Sequence, residues 1–303
     1  LILSELSKSF FQVPMAWDRF WFSPASTRGA ALFRFALAAV AVVHFAVFAS
    51  WVPQWLSGDG WFDLESARYI IGEGLPDTGS QYRWSILFRA TQPWVGFAVC
   101  SVGMLASVAA LLGLGNRIPL MVAWICMLTI HHRAPWLSMP GEILLTAGLF
   151  YAMIDPGRTA WTLRPGFDDG TERISANLLL RCGQIHLLLW LVFSVASMLQ
   201  YSIWWNGNAV PLLSRQTASL VGALPDSSYL GQAWTLAILA LQIGAAFLLT
   251  QRSTVAVGML CLAGFALLVA AVAGDWLYGL TLLAMGTCFV PIPRSSTPSN
   301  QLP

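Results

Sequence analysis

Residues 253 to 273, STVAVGMLCLAGFALLVAAVA, contain no charged side chain. A helix over that stretch is apolar on every face, and such a helix belongs in lipid or inside a very large core. Seven further segments are predominantly apolar and read as spans: approximately 29 to 52, 93 to 114, 118 to 133, 141 to 155, 177 to 200, 232 to 250 and 276 to 291. A bilayer core about 30 Å thick is crossed by roughly 20 apolar residues rising 1.5 Å each. Composition decides between lipid and a large core. The chain of 303 residues is 57% hydrophobic and 10% charged, with mean hydropathy +0.66, whereas a soluble domain carries roughly 25% charged residues. Soluble enzymes, nucleic-acid binders and disordered chains all need more charge than this. The expected fold is all-α, a polytopic integral membrane bundle of about eight transmembrane helices. Because the third, fourth and eighth segments are short, six or seven spans also satisfy the pattern.

Arginine sets the expected orientation. Lys8, Arg19, Arg28, Arg117, Arg158, Arg164, Arg173, Arg252 and Arg294 fall on one side of the map, and Arg68, Arg83, Arg89, Arg133 and Arg215 on the other. The positive-inside rule then puts both termini in the cytoplasm. Three regions follow. Residues 1–28 form a cytoplasmic amphipathic and aromatic segment, and 29–291 form the membrane domain. Residues 292–303, rich in Pro and Ser, form a disordered tail. No short apolar core with a small-residue cleavage site precedes Arg28, so the first span is expected to be a retained anchor. Two non-cytoplasmic loops stand out. Loop 53–92 carries Asp59, Asp63, Glu65, Glu73 and Asp77 among Trp55, Trp61 and Trp84, with Asp63 as N-cap of a short helix and Gly72 as its stop. Loop 201–231, broken by Pro211 and Pro225, is expected to cap the helix ends.

Ionisable groups at membrane depth are costly unless paired or facing a cavity, so each is a candidate functional residue. They are Arg34 and His44 on the first span, His131, His132 and Arg133 at the end of the third, Glu142 opening the fourth, and Arg181, Gln184 and His186 on the fifth. Each has a structural reading beside the functional one. Arg34 and Arg181 sit where they can snorkel to headgroup phosphates, and His44 and His186 can be hydrogen-bonded packing residues. Their depths differ by roughly 9 Å, which argues against a shared haem. His131 and His132 point about 100° apart on a helix, a poor arrangement for one metal ion even with Glu142 nearby. An interfacial network, with Glu142 or a carbonyl pairing Arg133, is the simpler reading. The cysteines Cys100, Cys126, Cys182, Cys261 and Cys288 lie in apolar runs and form no CxxC motif. No GxSxG, HExxH, GxGxxG or Walker pattern occurs, and no catalytic residue or metal site is assigned.

In order and spacing, LFRFALAAVAVVHF, LLGLGNRIPLMVAW, HHRAPWLSMPGEILLTAGLFYAMIDPGR and CGQIHLLLWLVFSVASMLQYSIWWNGNAV resemble the HTTM family. These membrane domains are similar to vitamin K-dependent γ-carboxylase and include bacterial proteins similar to the sporulation-delaying toxin maturation factor. The best local matches are Phe33-Arg34, the tight turn from Gly113 to Arg117, Gly141-Glu142 opening a span that ends at Asp155-Pro156, and Trp204 with Gly207. The resemblance implies a helical bundle around a pocket able to admit a reduced quinone. It also implies a bacterial cytoplasmic-membrane location. The carboxylase branch uses a lysine shortly before the W-x-x-G element, and an Asn-His pair entering the fourth span. Here those positions fall near Ser197 or Met198 and near Met139-Pro140, and the only lysine is Lys8. Carboxylase activity is therefore disfavoured. The leading expectation is a non-catalytic subunit or scaffold of a membrane protein complex, in contact with lipids and other membrane subunits. The alternative is a quinone- or lipid-dependent membrane enzyme acting on a peptide or lipid.

Overall fold

A computed structural model describes residues 15, 17–70, 84–90, 92–155, 172–216, 220 and 229–291. The expected stop at Gly72, the acidic Glu73 and Asp77, the amphipathic first residues, most of the Pro225 cap and the tail lie outside the described residues.

The first long helix, α1 (Thr27–Ala49), begins where Ser26 accepts a hydrogen bond from the Arg28 amide. Short helices α2 (Val52–Trp55) and α3 (Leu64–Ile70) follow it. The main bundle continues with α4 (Pro93–Leu111), α5 (Ile118–Arg133), α6 (Pro140–Ala152) and α7 (Ile174–Met198). After the short α8 (Ser202–Trp205) and α9 (Ala209–Gln216), it closes with α10 (Tyr229–Leu248), α11 (Val255–Ala273) and α12 (Trp276–Gly286). Eight of these helices coincide with the eight apolar segments of the sequence. Five, namely α1, α4, α7, α10 and α11, are long and apolar enough to cross a membrane. The chain is an all-α integral membrane protein.

Helix boundaries follow local chemistry. Pro93, Pro119 and Pro140 sit in first turns, where a missing N–H costs nothing. The turn joining α4 to α5 needs left-handed backbone at Gly113, Gly115 and Asn116, which those residues adopt most readily. At the junction of α11 and α12, Gly274 is left-handed and Asp275 caps the next helix through the Tyr278 amide.

A two-residue antiparallel pairing, Ala25 with Arg173 and Ser26 with Glu172, brings the starts of α1 and α7 to one end of the bundle. The opposite end, called here the loop end, gathers the ends of α1, α5, α7 and α11 and the starts of α4, α6, α10 and α12. Helix α1 is the central post: Phe33, Leu37, Ala41 and Phe45 are fully enclosed, with α4, α6, α7 and α12 packed around it. Helix α6 approaches its neighbours closely at two glycines. Gly141 faces the backbone of Leu277 and Tyr278, and Gly148 faces Leu37 and Met285. At 13 residues α6 is about 20 Å long, well short of a 30 Å bilayer core.

Candidate functional site

Three of the four histidines are held by one short helix. Glu142, Thr146 and Tyr151 project from α6 at successive turns, and each meets an imidazole from a different neighbour. Glu142 Oε1 lies 3.6 Å from His44 Nδ1. The other carboxylate oxygen accepts the Met139 amide at 2.7 Å, closing the first turn of α6. Thr146 Oγ1 donates to the Glu142 carbonyl at 2.7 Å and lies 3.3 Å from His131 Nδ1. Its single proton being committed, the hydroxyl accepts from His131, which makes Nδ1 the protonated nitrogen of that ring. Tyr151 Oη lies 2.9 Å from His186 Nδ1.

Beyond these contacts two ring nitrogens, His44 Nε2 and His131 Nε2, are buried with no hydrogen-bond partner. His186 stacks on Trp190 at 6.5 Å and 15°. Trp190 Nε1 in turn donates to Tyr278 Oη at 2.9 Å.

The loop end closes over these groups. His132 Nδ1 lies 2.7 Å from the Trp84 carbonyl oxygen and 3.1 Å from its amide nitrogen, and Ser85 donates to the Thr129 carbonyl. Arg133 is fully enclosed. Its Nη2 donates to the Phe62 carbonyl at 3.1 Å, while Nε and Nη1 have no hydrogen-bond partner. Glu142 therefore does not pair Arg133, as the simpler sequence reading has it. The carbonyl alternative holds, because α3 and its leading turn fold down over the end of α5. Asp63 does cap α3, accepting from the Ser66 amide at 2.7 Å, and hydrogen bonding to Ser66 holds its carboxyl below the ordinary value.

The remaining candidates lie at the other end. Arg34 is enclosed by the bundle rather than extended to the surface. Arg181 donates to Gln184 Oε1 at 2.9 Å with its guanidinium 4.5 Å from the centre of the Phe20 ring, and Gln184 donates to the Cys288 carbonyl. These pairings tie α7 to the preceding chain and to the turn that follows α12. The nine candidates thus divide into a loop-end group (His44, His131, His132, Arg133, Glu142), an isolated His186 on α7, and a packing group (Arg34, Arg181, Gln184). His44 and His186 face different partners and share no ligand geometry. Among the described residues no group of three His, Cys, Asp or Glu side chains could hold a metal ion.

Two open grooves flank α6. One, of about 630 Å³, lies against α5 and is lined by Trp124, His131, His132, Ser138, Thr146 and Tyr151 among others. The second, of about 520 Å³, lies against α7 and is lined by Ile143, His186, Leu189, Trp190, Phe193 and Ser194. Both are in the size range of small-molecule sites. Sequence reasoning missed Thr146, Tyr151 and Trp190, whose only signal was a polar atom in or beside an apolar run, and placed Trp84 only among the loop tryptophans. No protein-family model, curated protein or solved structure matches the chain.

Proposed function

We propose that this protein is a non-catalytic subunit of a bacterial cytoplasmic-membrane complex, built on an HTTM-like bundle with both termini in the cytoplasm, and that its loop end docks onto a partner membrane protein. The observation that carries this reading is a one-sided distribution of tryptophan. Trp51, Trp61, Trp84, Trp94, Trp205 and Trp276 are exposed at the loop end, against Trp17 alone at the other end among the described residues. An aromatic belt that serves only the bilayer is expected at both interfaces, whereas aromatic enrichment of one face is the signature of a protein interface. The test is purification in mild detergent with quantitation of co-purifying membrane proteins. A fixed ratio with one partner, lost on combining Trp61→Ser with Trp84→Ser while the chain stays folded, supports the reading. A chain that runs alone from its native membrane overturns it.

The second reading, a quinone- or lipid-dependent membrane enzyme other than a γ-carboxylase, is favoured by the buried His44–Glu142 pair beside a groove that bears His131 and His132. One quinone extracted per chain, lost on Glu142→Ala, would favour it over the subunit reading.

A further inference from the structure

We propose that the lipid-facing wall of α6 binds one two-chain membrane lipid with a zwitterionic or uncharged headgroup, one chain in each flanking groove. The geometry rests on the shortness of α6. Ile143 and Phe150 are exposed, and Thr146 and Ala147 between them are half-buried. These positions share one helix face by their 3.6-residue recurrence. Because α6 covers only about 20 Å of the bilayer, its longer neighbours α5 and α7 stand beside it as walls, leaving a recess on each side. Ile143, one turn from the loop end of α6, lines both recesses, so they flank the same side chain there. Tyr151 lines the recess against α5 and His186 the one against α7, and the hydrogen bond between them closes the space deeper in the membrane. The result is a saddle: two mainly apolar channels of similar volume that straddle Ile143 near the headgroup level and are separated by one helix.

A single-chain amphiphile fills one channel and leaves the other without contacting atoms, forfeiting its dispersion energy. Two acyl chains on one glycerol fill both. The headgroup class follows from charge. Among the described residues neither lining contains Lys, Arg, Asp or Glu. The nearest cation in sequence, Arg133, is fully enclosed and turned toward the Phe62 carbonyl. An anionic headgroup meets no cation in the recess, whereas His132 and Ser138 at its loop end offer hydrogen bonds to ester or hydroxyl oxygens. The channels run along the lipid-facing wall, and only their headgroup end, at His132 and Ser138, adjoins the tryptophan-rich loop end.

The test uses the full chain in nanodiscs holding equal phosphatidylethanolamine and phosphatidylglycerol with matched acyl chains. The chain is then extracted in mild detergent and examined by native mass spectrometry. One retained two-chain lipid per chain is expected, with phosphatidylethanolamine favoured by about fivefold or more over its share of the disc. Ala147→Phe, filling the channel against α5, and Leu189→Trp, filling the channel against α7, are each expected to lower occupancy by about tenfold with an unchanged unfolding transition. Retention of no lipid, or of a single-chain or isoprenoid lipid from native membranes, overturns the proposal. Equal retention of phosphatidylglycerol overturns the headgroup assignment, and unchanged occupancy in both variants overturns the placement beside α6. If a variant does not fold, the class and headgroup ratio of the lipid held by the wild-type chain still decide.

Discussion

His44 of α1 and Glu142 of α6 face each other inside the bundle, Nδ1 to Oε1 at 3.6 Å, with both side chains almost wholly enclosed. The separation is too long for a direct hydrogen bond, so the contact is electrostatic whenever the pair is ionised. Glu142 has a second task, accepting the Met139 amide at 2.7 Å. Glu142→Ala removes both interactions and leaves the part-buried Met139 amide and the buried His44 imidazole without the carboxylate, at a cost of about 1–3 kcal/mol. Glu142→Gln keeps an acceptor for the amide and is expected to recover most of that loss. Equilibrium unfolding in mixed micelles measures the difference; equal loss in both variants would assign the stability to charge rather than to the helix start.

The bond from Tyr151 to His186 is a side-chain polar link between the linings of the two channels beside α6. Tyr151→Phe keeps the ring and its packing but strips the hydroxyl from a half-buried imidazole. The expected destabilisation is about 1 kcal/mol. The more specific outcome is increased mobility of the His186 ring, read as line broadening of its imidazole resonance by NMR of the labelled protein in detergent.

Close approach of α6 to α12 and α1 gives a graded prediction. A Cβ added at Gly141 would stand 2.7 Å from Tyr278 Cα and 2.8 Å from its backbone nitrogen, neither of which can yield without moving α12. At Gly148 the obstacles are Leu37 Cδ2 at 2.8 Å and Met285 Sδ at 2.9 Å, side-chain atoms that can rotate away. Gly141→Ala is expected to cost about 1–3 kcal/mol and Gly148→Ala distinctly less. A reversed order in thermal unfolding would mean that the α12 backbone at Tyr278 yields more readily than the side chains of Leu37 and Met285.

The contrast between these helices and their polar contacts shows what the sequence carries. Helix α5 runs over the same residues, 118 to 133, as its apolar segment, because an apolar run flanked by a Gly-rich turn and a His-His-Arg cluster states its own limits. The turn at Gly113, Gly115 and Asn116 was legible for the same local reason. The pairings that define the site join residues far apart in sequence: His44 with Glu142, Trp84 with His132, Tyr151 with His186. No spacing rule reports which helix stands beside which. Local proximity also misled: Glu142 lies nine positions after Arg133, yet Arg133 binds the Phe62 carbonyl and Glu142 turns toward α1. Hydroxyl residues such as Thr146 and Tyr151 carry no charge and drew no notice, although they hold two of the histidines.

Asp275 lies between α11 and α12, where its carboxylate caps α12 through the Tyr278 amide at 2.9 Å. Burial raises its pKa above the ordinary 3.8, and the amide hydrogen bond offsets only part of that rise. A carboxyl whose folded pKa lies above its unfolded pKa contributes most to stability when protonated in both states. That contribution is lost as pH rises through the raised folded value. The native chain should therefore lose stability between about pH 4 and the upper end of its titration. Asparagine caps a helix as well as aspartate does and does not ionise, so Asp275→Asn should flatten this part of the profile. Its unfolding transition should match the wild type at the acid end and exceed it at neutral pH. A variant less stable than wild type at neutral pH would show that the ionised cap, interacting with the positive end of α12, outweighs the cost of burying it.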